Sequence, residues 1–228
     1  MPGALEGVRI FDMSSSFMGP FATLLLAEMG AEVIEVESPA RYTTRGVGLS
    51  RHDGMAAIFL HLNRNKRSLC LDFKTTEGIE VLKGMARVVD VVVSSLRPAA
   101  VERLGLSYEL LSEENPGLVY CSVYGFGEGG QYAGKPAYDD LIQAAVGMPY
   151  LQSKNVGDPK YVSSAIADRI VGMYAAIAIA AAVAGKERAG VGQKVDVLMF
   201  EPFAHFVKGD HLYGHSFVPS IGTSGTRA

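Results

Sequence analysis

The sequence has 228 residues, 48% of them hydrophobic and 20% charged, which is the profile of a folded globular protein and excludes a disordered or fibrous chain. Its 21 Lys and Arg against 24 Asp and Glu leave a formal net charge of -3, with no basic stripe, which excludes the electrostatic footprint of a nucleic-acid binder. The longest uncharged run, 170–185, is shorter than the ~20 apolar residues of a bilayer span, and residues 1–7 lack the order of a signal peptide, so a buried helix and a cytoplasmic protein without a membrane partner are expected.

Taken in chain order, 8–12 reads as a short strand. A serine-rich loop follows, then a helix over 21–29 with Pro20 at its favoured first position and Gly30 as its stop. The segment 32–37 (EVIEVE) reads as the next strand, which completes a β-loop-α-β unit long enough for a parallel crossover. A strand over 68–72, a helix over 75–87, a strand over 90–94, short helices at 99–104 and after Ser107, and a strand over 118–123 continue the rhythm. Ser163 or Ser164 is placed to cap an alanine-rich helix ending at Gly185, and 193–197 reads as one further strand. Apolar strands alternating with helices predict an α/β fold with a parallel sheet covered on both faces. Residues 209–228 carry no periodicity and read as the start of a linker toward a second domain.

Few motifs carry chemistry by themselves. Gly125 to Gly130 matches G-x-G-x-x-G after a strand, but Gly134 and Pro136 follow where a helix would have to begin, so no phosphate-holding helix N-terminus is expected. Asp139 follows that loop and precedes an apolar stretch; read locally, it is an N-cap in preference to a nucleophile. Arg41 with Arg45, Asn63 to Arg67, and Arg97 with Arg103 form three basic clusters near strand ends, where open α/β sheets bind ligands. Cys70 and Cys121 fall in strand-like segments without a Cys-x-x-Cys partner and read as buried, reduced thiols. The histidines, His52, His61, His205, His211 and His215, lack metal-ligand spacing, and no metal is expected.

In order along the chain, Leu5 to Asp12, Gly19-Pro20-Phe21-Ala22, Gly30 to Glu37, Leu62 to Leu69, Arg97-Pro98, Glu102 to Leu106, Asn115-Pro116, Tyr124 to Gly127, Pro136-Ala137-Tyr138-Asp139, Ala167-Asp168 and Gly190 to Gln193 resemble the N-terminal half of the family III CoA-transferases. The resemblance runs to about residue 205, and its ordered motifs are specific as a set. It implies a Rossmann-like, CoA-binding large domain over 1–205 with a linker over 206–228 toward a small domain that lies beyond. It also implies a homodimer of interlocked rings, and acyl-CoA and a carboxylic acid as substrates with no tightly bound cofactor. On this basis Asp139 is the catalytic nucleophile, and Phe17, Arg41, Asn63, Lys66, Leu96, Arg97 and Arg103 contact CoA. Two further expectations stand beside transfer: a 2-methylacyl-CoA racemase, in whose branch a histidine stands where this chain has Tyr138, and a CoA-binding chain without activity.

Overall fold

The computed structural model describes residues 2–39 and 43–225. The chain divides into two compact units, Met1–Tyr124 with Gly172–Val197 and Gly125–Val171 with Leu198–Ala228.

The first unit is built on a six-stranded sheet in the order β3-β2-β1-β4-β5-β6. Its strands are β1 (Arg9–Met13), β2 (Glu32–Glu37), β3 (Lys66–Cys70), β4 (Val91–Ser94), β5 (Val119–Tyr124) and β6 (Lys194–Leu198). The β1–β2, β1–β4, β2–β3 and β4–β5 pairings are all parallel, with Phe11 opposite both Ile34 and Val92. This is the doubly wound order, and the sequence reverses direction across the sheet between β1 and β4. The central strands are the apolar ones: all four residues of β4 are buried, as are Val119 to Val123 of β5. On one face Phe11, Met13, Val36, Val92, Leu118 and Tyr120 pack with Leu82, Ala86, Leu106 and Leu111 from the helices α3 (Thr76–Ala86) and α5 (Tyr108–Glu114) and the turn between α4 (Pro98–Leu104) and α5. Thr75 caps α3 by accepting from the N–H of Gly78 at 3.1 Å.

Helix α1 (Met18–Glu28) starts ahead of the expected position, so that Pro20 is its third residue; a missing N–H in a first turn removes no intrahelical bond. The alanine-rich helix α8 (Ile166–Ala189) is, among the described residues, the one helix long and apolar enough to cross a membrane. Within the first unit it buries a single face, Ala175, Ala176, Ile179, Ala182 and Val183, while Ile177 stays 69% exposed, so the fully buried helix expected there is a one-sided one. Gly172 lets it approach α1, since a Cβ there would stand 2.8 Å from the carbonyl oxygen of Met18. Helix α2 (Ala57–Asn63) was not anticipated.

The second unit carries α6 (Asp139–Ala145), α7 (Met148–Val156), the first residues of α8, and α9 (Phe200–Lys208), of which α7 and α9 were likewise not anticipated. As expected, the Gly125–Gly130 segment opens no helix and runs through turns before α6 begins at Asp139.

Candidate functional site

In the first unit, β1 and β4 end side by side and their loops diverge. Ser14 follows β1, and its N–H and hydroxyl both donate to Asp12 Oδ1. Ser15 N–H donates to Ser95 Oγ at 3.0 Å, which ties the loop after β1 to the loop after β4. Ser16 takes φ +70 and delivers Phe17, half-buried, to the start of α1. After β4, Leu96 is half-buried with its N–H on Ser94 Oγ, and Arg97 caps α4 ahead of Pro98. The side chains of Arg97 and Arg103 are exposed, and among the described residues neither guanidinium has an ion-pair partner. These two cations sit by the carboxyl end of β4 and on the helix after it, where the sheet order reverses. Arg41 lies outside the described residues.

The cluster Asn63 to Arg67 is placed differently. It was expected in a loop at the ligand-binding ends of the strands, but Lys66 and Arg67 are the first two residues of β3, and Lys66 stands opposite Val33 near the start of β2. The side chain of Lys66 is 1% exposed, and Nζ lies 3.2 Å from Asp12 Oδ2, 3.1 Å from Glu35 Oε2 and 2.8 Å from Asn63 Oδ1. Three donors thus meet three acceptors, and the ammonium is saturated inside the unit. Burial by itself pushes the Asp12 carboxyl up, but the charge of Lys66, a hydrogen bond shared with Glu35, and hydrogen bonds from Ser14 and Thr23 outweigh it and hold Asp12 below the ordinary carboxylate range. Glu37 behaves alike: burial raises it, and a two-pronged pair with Arg45 at 2.5 and 2.6 Å, with a bond from Ser68 at 2.7 Å, brings it below its ordinary value. Arg45 also lies 3.8 Å over the ring of Phe59. Glu35, Glu37, Arg45, Asn63, Lys66 and Ser68 line a cavity of about 300 Å³ whose apolar wall is Met55, Phe59 and Leu60. Arg64 and Arg67 are paired on the surface with Glu28 and Glu32.

In the second unit, Asp139 is the first residue of α6, and the cap is Tyr138, which makes no side-chain capping bond. The Asp139 carboxylate therefore does not cap its own helix. Its Oδ2 accepts from the backbone N–H of Asp168 at 3.0 Å, and its Oδ1 accepts from Gln143 Nε2 at 2.6 Å. Asp168 is the third residue of α8, so Asp139 satisfies one of the donors that α8 leaves unpaired at its N-terminus. Gln143 is buried one turn along α6, and its Oε1 accepts from the N–H of Val162 at 2.9 Å. The structure thus brings together two carboxylate residues, Asp139 and Asp168, and a buried amide. Sequence reasoning named Asp139 alone for chemistry. The i, i+4 spacing could have pointed to Gln143; nothing local ties Asp168 to Asp139 across 29 positions.

Compared with known proteins, residues 5–227 match the model for CoA-transferase family III. The chain is 36% identical over 204 residues to the succinate–glutarate CoA-transferase of Agrobacterium fabrum, covering 86% of this chain and 51% of that protein. It is 39% identical over 199 residues to the formyl-CoA:oxalate CoA-transferase of Streptomyces avermitilis, covering 87% and 48%. Its structure superposes on the crystal structure of a CAIB/BAIF family protein from Brucella suis with a TM-score of 0.89 at 31% identity, over 100% of this chain and 61% of that one. The chain spans about half the length of the curated relatives it matches. With this match across nearly its whole length, on a doubly wound sheet of the same fold, the chain belongs to CoA-transferase family III.

Proposed function

We propose that the protein transfers coenzyme A from an acyl-CoA to a carboxylic acid through a covalent aspartyl adduct formed at the Asp139–Asp168 pair. The observation that carries this reading is the bond from the Asp168 N–H to the Asp139 carboxylate, which joins two carboxylate residues at the N-terminus of a 24-residue helix. A long helix places partial positive charge there, which suits a carboxylate nucleophile and the oxyanions that develop on each acyl carbon.

The steps balance without a further reagent. The carboxylate attacks the thioester carbonyl of acyl-CoA, the C–S bond breaks, and an aspartyl-acyl anhydride and CoA thiolate result. The thiolate attacks the aspartyl carbonyl of the anhydride, releasing the donor acid and leaving an aspartyl-CoA thioester. The acceptor carboxylate attacks that thioester, forming a new anhydride and CoA thiolate, and the thiolate attacks the acceptor's carbonyl to give the new acyl-CoA and free aspartate. Thioester energy is retained throughout.

The resemblance assigns the attack to Asp139. A second assignment, Asp168 as nucleophile with Asp139 as its anchor, is favoured by its place: Asp168 stands in the first turn of the 24-residue α8, and Asp139 holds its backbone N–H. Tyr138, where the racemase branch would carry histidine, supports transfer over isomerisation. For CoA itself, the exposed Arg97 and Arg103 are the available cations for its phosphates, with Phe17 and Leu96 as apolar neighbours. Asn63 and Lys66, which line the cavity beside Arg45, remain assigned to CoA by the resemblance, as does Arg41. The homodimer and the CoA-binding role of residues 1–205 belong to the same proposal.

The test uses hydroxylamine, which converts an activated aspartyl group into a hydroxamate during turnover. Trypsin places the two candidates on separate peptides, Asp139 on 104–154 and Asp168 on 161–169. A hydroxamate on either peptide, abolished by Asp→Asn at that position, supports the adduct and names the nucleophile. Full transfer by both Asn variants would refute the reading.

A further inference from the structure

We infer that Gln143 is the positioning residue of this site: its buried amide fixes the orientation of the Asp139 carboxylate and, through it, the first turn of α8 on which Asp168 stands. The inference rests on the functional reading above and deepens it.

The argument starts from the amide's own orientation. The N–H of Val162 is a donor only, so the atom of Gln143 that faces it at 2.9 Å must be the oxygen, and the amide nitrogen must face Asp139 Oδ1 at 2.6 Å. The second amide hydrogen points toward the carbonyl oxygens of Val162 and Ser164, at 3.4 and 3.5 Å. The side chain is 1% exposed, so water does not compete for these positions. Asp139 is gripped from two sides: Gln143 holds Oδ1 from its own helix, and the α8 N–H holds Oδ2 from 29 residues away. A carboxylate bonded through both oxygens to different donors has lost the rotation that would otherwise carry it between orientations. Gln143 closes the chain of contacts by also holding the 162–164 loop that leads into α8. Its place is therefore behind the Asp139 carboxylate, oriented by backbone, with one donor aimed at one oxygen.

If Asp139 is the nucleophile, Gln143 sets the angle of attack; if Asp168 is, Gln143 acts one bond further back, through Asp139 and the Asp168 N–H. In both cases its removal lowers kcat, because geometry at the reacting carboxylate degrades while CoA binding does not depend on it.

Two variants of the intact protein test this. Gln143→Met keeps the volume and removes both polar functions; the expected result is a loss of roughly tenfold or more in kcat, with KM for acyl-CoA within about twofold. Gln143→Glu replaces the donor by a carboxylate oxygen facing Asp139; its kcat should be low at neutral pH and recover on acidification, when a protonated Glu can again donate to Oδ1 and accept from Val162. A merely structural role would not give that recovery, and the Glu variant decides the matter if the Met variant fails to fold. A kcat within about twofold of the parent for Gln143→Met, or a pH profile of Gln143→Glu that superimposes on the parent's, overturns the inference. Asp139→Asn and Asp168→Asn run in the same assay separate the two failures. Activity retained by both of those variants sinks the functional reading itself; activity lost in either one, with the Gln143 variants unaffected, sinks only the positioning role.

Discussion

Replacing Lys66 with methionine preserves the side chain's length and apolar stem and deletes its ammonium. That group stands 3.2 Å from Asp12 Oδ2 and 3.1 Å from Glu35 Oε2, and all three side chains are no more than 2% exposed. Removing one member of a buried ion pair costs about 3–5 kcal/mol, and here one deletion takes the cation from two acids, Asp12 and Glu35. Asp12 keeps its bonds from Ser14 and Thr23, which holds the expected loss near the middle of that range, about 4 kcal/mol at neutral pH. The assay is urea unfolding followed by circular dichroism, at neutral pH and at about pH 5. The sign with pH follows from the same groups. In the parent, the folded-state pKa of Asp12 lies below its ordinary value of 3.8, so its contribution is present above that value and is lost as the pH falls through the folded one. In the variant the lysine charge is gone and burial, the largest single influence, pushes the carboxyl up. The folded state then gains protons before the unfolded state does, so the gap between variant and parent narrows on acidification. A loss below about 1 kcal/mol, or a gap that stays constant between the two pH values, would refute the reasoning. Adding Glu35→Gln to the variant should recover part of the loss, since it removes one of the two acids that face Lys66 in the parent.

Gly192→Ala should cost about 3 kcal/mol in the same unfolding assay, because a Cβ there would lie 2.0 Å from the carbonyl oxygen of Leu118, a backbone atom that cannot move aside. An unchanged urea midpoint would show that the turn before β6 is looser than described. The two thiols should separate cleanly toward a disulfide reagent. Cys70, exposed on β3, reacts in the folded protein, whereas Cys121, fully buried and with its thiol pushed up by that burial, reacts only after unfolding. Two fast-reacting thiols per folded chain would contradict the placement of β5.

Much of the sheet was legible because its central strands are apolar without interruption. β2 was read at its observed bounds, 32–37, and β4 and β5 to within a residue. β3 was expected two residues later, over 68–72, since Lys66 and Arg67 look like loop residues until their partners Asp12, Glu35 and Glu32 are known, the nearest of them 31 positions away. Cys70 was expected to be buried and is exposed, because its strand lies at the sheet's edge and not within it. The candidate site was legible only in part, for a similar reason. An Asp ahead of an apolar stretch looks like a cap for the helix that follows, and Asp139 does cap a helix, but that helix is α8. Which donor a carboxylate meets is decided by tertiary packing, and a local pattern carries no record of it.

β3 ends the sheet on one side, and among the described residues no strand pairs with its outer edge. An edge of unpaired N–H and C=O groups is a template on which a second molecule can add a strand and begin aggregation. Here the strand is short, turns one cation inward to Asp12 and Glu35, and presents another, Arg67, paired with Glu32 at its surface. A foreign strand docking there would have to cover that surface charge pair and strip it of water. Arg67, next in the chain to the buried lysine, therefore guards the edge that the sheet leaves open.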